Sequence, residues 1–235
     1  MKRFYKAVSV GTADRGYQVL LDGRAVKTVG ARPQVAPTLA LAEAMAAEWA
    51  EQGEELSTAA FLLRDLADFA IDVVAPDRPR AIAELLPYSE TDTLCYRAEP
   101  DEPLAARQRE VWEPLLQQAE ARFGVRFVRV AGIIHRPQPA ETRARLAAEL
   151  EVRDAFALAA LRNTAALTAS LILGLAALEP AAELDTLWAA SNLEENWQIE
   201  QWGEDHQAAA RQERRRAAYI AAARFAALAR ESGPA

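Results

Sequence analysis

The sequence has few of the residues that covalent cross-links and metal clusters require. It contains one cysteine, Cys95, and two histidines, His135 and His206, in 235 residues. One cysteine cannot form an internal disulfide or a thiolate cluster, so the chain is typical of an intracellular or redox-insensitive protein. The two histidines are far apart, and neither has the spacing of a paired metal ligand. We therefore expect no bound metal.

Long apolar runs and nucleotide-binding loops are also missing. The longest weakly polar run, residues 165–178, is shorter than the ~20 residues that a membrane-spanning helix needs. The first residues are basic but lack an apolar stretch of signal-peptide length. Neither a glycine-rich phosphate loop nor a Gly-x-Ser-x-Gly elbow occurs. We therefore expect no membrane insertion, no cofactor and no catalytic residue.

The charge balance disfavours polyanionic partners. Acidic residues outnumber basic ones by 34 to 27, which gives a formal net charge of -7. A field of this sign opposes binding to nucleic acid unless a local basic patch overrides it. The run Arg214–Arg216 is explained by a solvated helix face. We therefore expect no nucleic-acid partner.

The chain has enough apolar residues, 51%, to build a core. Its first thirty residues have the pattern of a small antiparallel meander, with strands at 5–10, 17–21 and 24–29. Asp22-Gly23 between the last two suits the positive backbone angles of a tight hairpin turn. From Pro37 onward the pattern is helical. The predicted fold class is α+β, a small N-terminal antiparallel sheet with helices followed by a larger, mostly α-helical domain.

Apolar spacing and breakers predict the helices. Leu39, Leu41, Met45 and Trp49 share one side of a helix that Gly53 would end. A second helix follows Ser57-Thr58, and further helices are predicted at 103–123, 140–151, 154–178, 182–200 and 204–230. Residues 125–134 form an extended segment that could return to the N-terminal sheet. The prolines at 76 and 79 suggest domains of 1–76 and 77–235.

Three aspartates, Asp65, Asp68 and Asp72, share one face of the second predicted helix. Such spacing can hold a divalent cation only with partners from other elements, and none is identifiable. We therefore predict a solvated acidic face, partly compensated by Arg64.

The segment 193–206 combines acidic residues with Trp197 and Trp202 around Gly203, which is expected to break or bend the helix. Aromatic side chains beside charges at an interrupted helix suit a recognition surface. The alternative is that both tryptophans are core anchors and that the acids face water.

Ordered segments along the whole chain resemble a known family. They are Arg3-Phe4-Tyr5-Lys6, Leu21-Asp22-Gly23-Arg24 with Val26-Lys27-Thr28, Glu48-Trp49 with Gln52, Ala70-Ile71-Asp72, Thr91-Asp92 with Leu94-Cys95-Tyr96-Arg97-Ala98, Gln108 with Trp112 and Pro114, Gly132-Ile133, Ser170-Leu171, and Gln198-x-Glu200-x-Trp202-Gly203-x-Asp205. This set resembles the assembly chaperones of the F-type ATP synthase alpha subunit, which occur in mitochondria and alpha-proteobacteria.

The resemblance implies a chaperone without enzyme activity. Members of this family bind the free ATP synthase alpha subunit, prevent its aggregation and support assembly of the catalytic sector. An acidic residue that matters for this function corresponds to Glu200. The client-binding residues are therefore expected to be Glu200, Trp202, Gln198, Asp205 and Glu195.

Other expectations follow from the same resemblance. The family lies in the mitochondrial matrix in eukaryotes, and the absence of a transit-peptide pattern here predicts a bacterial cytoplasmic protein, expected to be a monomer. Asp68-Phe69 stands where the family has Asn-Thr, so a role for that helix face is not carried over.

Two other functions compete with a chaperone. One is an enzyme with a cleft between two domains, in which Asp65 and Glu200 act as acid and base. Stabilisation by nucleotides, metals or small acids would favour it. The other is a helical scaffold, which would co-purify with a finished assembly.

Overall fold

The computed structural model describes residues 1–132, 134–203 and 206–230. A three-stranded antiparallel sheet comes first in the chain, and most of the remainder is helical. The predicted α+β class is confirmed.

The N-terminal sheet is a meander in the order β1-β2-β3, made of Val8–Ala13, Gly16–Leu21 and Arg24–Ala25. Asp22 and Gly23 form the second turn with φ of 49° and 78°, the paired positive angles of a tight hairpin. The first strand begins three residues later than predicted. The Asp22 carboxylate accepts hydrogen bonds from the N–H groups of Lys6 and Ala7, which fixes the segment before that strand.

Helix α1 (Leu39–Ala50) packs on this sheet, and α2 (Leu62–Phe69) packs on α1. A short 3₁₀ turn, Thr58–Ala60, precedes α2, and a π-helical turn, Ala70–Val74, follows it. Thr38 caps α1 by accepting the N–H of Leu41. Of the predicted apolar face, Leu41, Met45 and Trp49 are buried, whereas Leu39 is 37% exposed.

The predicted solvated acidic face on α2 is wrong for two of its three aspartates. Asp68 is buried, and its carboxylate accepts hydrogen bonds from Gln34 Nε2 and the N–H of Val29. Asp72 accepts from Thr28 Oγ1 at 2.8 Å and from the N–H of Gly30 at 2.7 Å. The two carboxylates hold the loop after β3, a contact between residues about forty positions apart that helix spacing cannot reveal. Only Asp65 is exposed.

The remaining helices are α3 (Arg78–Leu85), α4 (Pro87–Glu90), α5 (Pro103–Phe123), α6 (Ala140–Glu151), α7 (Ala155–Thr168), α8 (Leu171–Ala177), α9 (Leu184–Ser191), α10 (Leu193–Trp202) and α11 (His206–Arg230). Gly124, at φ 65°, ends α5 in the left-handed conformation. Within the described part of the chain, no helix is long and apolar enough to cross a membrane.

The chain divides into two compact units. The first contains Met1–Arg78, Asp154–Ala160 and a stretch that begins at Ala221, and the second contains Pro79–Arg153 and Leu161–Ile220. The chain first passes from the first unit to the second after Arg78, two residues beyond the predicted boundary at 76. The contribution of α7 and α11 to the first unit was not predicted, because periodicity does not say which partner a helical face meets.

The predicted helix 154–178 is in fact two helices, α7 and α8. Ala169 adopts φ 49°, and Ser170 caps α8 by accepting the N–H of Leu173 at 2.9 Å. The buried Asp92 carboxylate accepts from Ser170 Oγ and from the N–H of Ile172. A carboxylate 78 residues away in sequence therefore stabilises this break.

The described residues of the segment 125–134 do not join the N-terminal sheet. Its strand β5 (Val130–Ala131) pairs in parallel with β4 (Tyr96–Arg97) in a separate two-stranded sheet. Arg129 forms ion pairs with Glu120 and, at 2.7 Å, with Glu113, both on α5. These contacts stabilise the segment beside α5. Apolar periodicity does not predict them, because it carries no information on ion pairs between separate segments of the chain.

Candidate interaction surface

Helix α10 carries most of the predicted site, and it has almost no core of its own. Leu193 is its only buried residue. Gln198, Glu200 and Gln201 are exposed, and Trp202 is 79% exposed. A surface helix ordinarily buries an apolar stripe several residues wide. The polar and aromatic side chains of α10 are therefore available for an intermolecular contact.

Contacts from α5 and α11 hold α10 in place. Gln108 on α5 donates from Nε2 to Glu194 Oε1 at 2.7 Å. Trp112, also on α5, donates from Nε1 at 2.8 Å to the carbonyl of Ala190, which lies in α9 just before α10. Gln212 on α11 reaches Asn196 at 3.4 Å. These side chains position the start and middle of the helix. Sequence reasoning missed Gln108 and Glu194 as supports, since their separation of 86 residues leaves no local signal.

Asparagine and glycine define the two ends of α10. Asn192 donates from Nδ2 to the carbonyl of Trp188 at 2.8 Å, a side-chain contact that competes with continued helix. The predicted helix 182–200 is therefore broken at this residue. Gly203 has φ 88°, and its N–H still reaches the carbonyl of Ile199 at 2.9 Å. The predicted break at Gly203 is confirmed.

The predicted site residues fall on two faces of α10. At about 100° per residue, Glu195, Gln198 and Trp202 lie on one face. Glu200 lies about 160° around the helix from Trp202 by the same geometry, on the side of Leu193. The helix thus brings three of the residues together and separates Glu200 from them. Asp205 lies outside the described residues.

The acidic side chains of α10 differ in whether they have a hydrogen-bond partner. Glu194 accepts the Gln108 hydrogen bond. In the described part of the chain, Glu195 and Glu200 have no hydrogen-bond or ion-pair partner. An ion pair between Glu200 and an arginine of α11, which would make it structural, is therefore not among the contacts of the described residues. Two carboxylates on this helix remain available for external cations or N–H donors.

The two tryptophans of this segment have different environments. Trp197 is half-buried, whereas Trp202 is almost fully exposed at the end of the helix. The alternative that both are core anchors is therefore wrong for Trp202. An exposed indole offers a large contact area and one N–H donor, which is typical of residues that dominate interfaces.

Cys95 and the carboxylates considered above do not form a reactive cluster in the described part of the chain. Cys95 is buried, and burial raises the pKa of its thiol, so the thiol form persists at neutral pH. Across residues 1–132, 134–203 and 206–230, no three His, Cys, Asp or Glu side chains are placed to hold a metal ion. Asp65 is paired with Arg64 at 3.2 Å in the first unit, while Glu200 belongs to the second.

Similar proteins agree on one family. The family model described as "ATP12 chaperone protein" matches residues 2–120. The mitochondrial protein atp12 of Schizosaccharomyces pombe is 25% identical over 214 residues, covering 86% of this chain and 74% of its own.

Two bacterial crystal structures have the same fold. That of Atp12 from Paracoccus denitrificans is 37% identical, covers 97% of this chain and 98% of its own, and has a TM-score of 0.90. A protein of Agrobacterium tumefaciens is 39% identical, covers 97% of this chain and 85% of its own, and also has a TM-score of 0.90. The chain therefore belongs to the ATP12 chaperone family, as its ordered sequence segments predicted.

Proposed function

We propose that this protein binds the free alpha subunit of the ATP synthase, prevents its aggregation and supports assembly of the catalytic sector, without enzyme activity. As a member of the ATP12 chaperone family it is an assembly chaperone of the ATP synthase. A subunit that lacks its partner exposes a large, partly apolar surface, which is an aggregation hazard. The bacterial relatives support a location in the bacterial cytoplasm.

The single observation that carries this proposal is the exposed end of α10. Trp202 is 79% exposed on a helix that buries only Leu193. An exposed tryptophan becomes favourable when a partner covers it, and interface energy concentrates in such residues. We therefore assign Trp202 as the apolar anchor, with Gln198 and Glu195 on the same face as its polar neighbours.

Glu200 is assigned to a second contact, on the other side of the helix end. It lies in the last turn of α10, where the helix dipole disfavours an exposed carboxylate by ~0.3–1 kcal/mol. No partner among the described residues offsets this. A basic or hydrogen-donating group of the client would do so. The client then contacts both sides of the exposed helix end.

The test measures aggregation of isolated alpha subunit by light scattering with Glu200→Lys. Breaking a desolvated charged contact costs ~2–5 kcal/mol of binding, so protection should be nearly abolished. The free energy of unfolding should change by no more than ~0.5 kcal/mol, as at other surface sites. Glu43→Lys, an exposed glutamate of α1 with the same change of charge, is the matched control and should protect normally.

Three results would contradict this assignment. A stability loss in Glu200→Lys that matches its loss of protection would make Glu200 structural. An equal loss in Glu43→Lys would indicate a net-charge effect. Equal protection of isolated beta subunit by the wild-type protein would indicate a general holdase and refute the proposed client.

A further inference from the structure

The first unit contains a cavity of about 560 Å³ beside the meander. Its aromatic walls come from Phe4, Tyr5 and Trp49, and its charged groups are Arg24, Lys27, Arg64 and Asp22. Three of the segments that carry the family resemblance thus meet here, although none of them belongs to α10. The cavity has no role in the function proposed above.

The aromatic wall is an ordered array that ends in an exposed ring. Phe4 and Tyr5 make an edge contact with centroids 5.3 Å apart, Tyr5 and Trp49 follow at 5.5 Å, and Trp49 and Phe61 at 4.5 Å. The Tyr5 hydroxyl donates to the carbonyl of Trp49 at 2.6 Å. Tyr5 and Trp49 are buried, but Phe4 is 63% exposed. The array therefore presents a rigid, uncovered aromatic face.

Two buried donors that line the cavity lack acceptors. Trp49 is only 6% exposed, and its indole Nε1 has no hydrogen-bond partner among the described residues. The same holds for Nε of Arg64, whose other nitrogens pair with Asp65 and Asp68. A buried donor without an acceptor carries a desolvation penalty. The cavity wall therefore contains donors but few free acceptors, which favours an anionic ligand over a cationic one.

The charge around the cavity is opposite to that of the whole protein. Residues 1–27 contain six basic and two acidic side chains, including all three lysines, so this stretch carries +4 in a chain of -7. Arg24 and Lys27 are exposed and form no hydrogen bond or salt bridge with a carboxylate among the described residues, and only Arg24 interacts electrostatically with Asp22. Asp22, the one acid on the wall, accepts from the N–H groups of Lys6 and Ala7. The rim therefore attracts anions.

We propose that this cavity binds an acidic peptide segment in which a carboxylate lies beside a large apolar side chain. The carboxylate is attracted by the exposed side chains of Arg24 and Lys27, while the apolar side chain covers Phe4. A bare anion would leave the aromatic face uncovered, so the combination favours a peptide. The walls are already fixed by internal hydrogen bonds, which lowers the entropic cost of binding.

The experiment is calorimetric titration of the full-length protein with a synthetic peptide that alternates glutamate and phenylalanine. The reference peptide has glutamine at every glutamate. Each charge-assisted contact is worth roughly tenfold in affinity, so the acidic peptide should bind at least about tenfold more tightly. Lys27→Glu and Arg24→Glu should each weaken binding by about tenfold or more, and added salt should weaken it further.

Arg15→Glu is the matched control, because Arg15 is exposed in the β1–β2 turn and does not line this cavity. It should bind the acidic peptide as the wild type does. Phe4→Ala, at an exposed position, tests the aromatic face without changing charge and should also weaken binding. Equal affinity for the glutamine peptide, or an equal loss in Arg15→Glu, would overturn the proposal. Comparable binding of inorganic tripolyphosphate would overturn it in favour of a phosphate site. None of these results depends on the identity of the client of α10.

Discussion

Asp92 should make this protein more stable as pH falls, which is the opposite of the effect of a salt-bridged carboxylate. Its carboxylate is fully buried and accepts from Ser170 Oγ at 2.7 Å, and from the N–H groups of Leu94 and Ile172, both at 3.1 Å. Burial raises the pKa of Asp92 from 3.8 to about 6, against the opposing effect of these hydrogen bonds. Desolvation and hydrogen bonding therefore compete at one group, and the pH dependence reports which is larger.

The sign and size follow from proton linkage. The pKa of Asp92 is 3.8 in the unfolded state and about 6 in the native state. Between these pH values the native state binds more protons than the unfolded state, so the free energy of unfolding rises as pH falls. The stabilisation is complete below pH 3.8 and is lost as pH rises through about 6. A difference of about two pKa units corresponds to ~3 kcal/mol. Asp92→Asn removes this titration while keeping a side-chain oxygen as an acceptor.

The assay is urea denaturation of wild type and Asp92→Asn between about pH 4 and pH 7.5. The stability of the wild type relative to the variant should increase by ~2–3 kcal/mol from the neutral to the acidic end. Other carboxylates titrate equally in both proteins, so the difference isolates Asp92. Asp101→Asn, at an exposed loop position, should show no such trend. A relative stability that decreases with falling pH would refute the reasoning, because the hydrogen bonds would then outweigh desolvation.

Two further predictions concern the first unit. The Glu48 carboxylate accepts hydrogen bonds from two N–H groups at the start of α2, at 2.7 and 2.9 Å. Glu48→Ala should therefore lower the free energy of unfolding, measured by urea denaturation, by ~1–2 kcal/mol. A change below ~0.5 kcal/mol would mean that water replaces the cap. Gly16 has φ 150°, and a Cβ there would overlap the carbonyl oxygen of Ala36, so Gly16→Ala should cost at least ~2–3 kcal/mol. Gly23→Ala, where φ is 78° but no atom lies within 4 Å, should cost less by the same measurement, and equal losses would contradict the steric explanation.

Local signals in the sequence accounted for much of the fold. Helices 103–123 and 140–151 were predicted with the bounds that the structure has, because proline and glycine mark the limits of the first and periodicity runs through both. The Asp22-Gly23 turn was predicted because few other dipeptides adopt two positive φ angles without strain. Each of these features depends on residues within a few positions of each other.

The candidate site was only partly predictable. The family resemblance singled out α10, and helix geometry alone separates Glu200 from the face of Trp202. Whether Trp202 was a core anchor or an exposed side chain could not be read from spacing, because both alternatives have the same pattern. The cavity of the first unit has no sequence signal, since Phe4, Lys27 and Trp49 meet only when the meander packs on α1.

The sequence by itself therefore determined the N-terminal meander with its Asp22-Gly23 turn, most helices and the family of this protein. Tertiary structure alone decided where Asp68, Asp72 and Asp92 direct their carboxylates, which strand Val130 joins, and which aromatic rings remain uncovered. The physical reason is the range of the interactions. Backbone preference and apolar periodicity act over a few residues, whereas a buried carboxylate must find donors wherever the folded chain brings them, here 34 to 80 positions away.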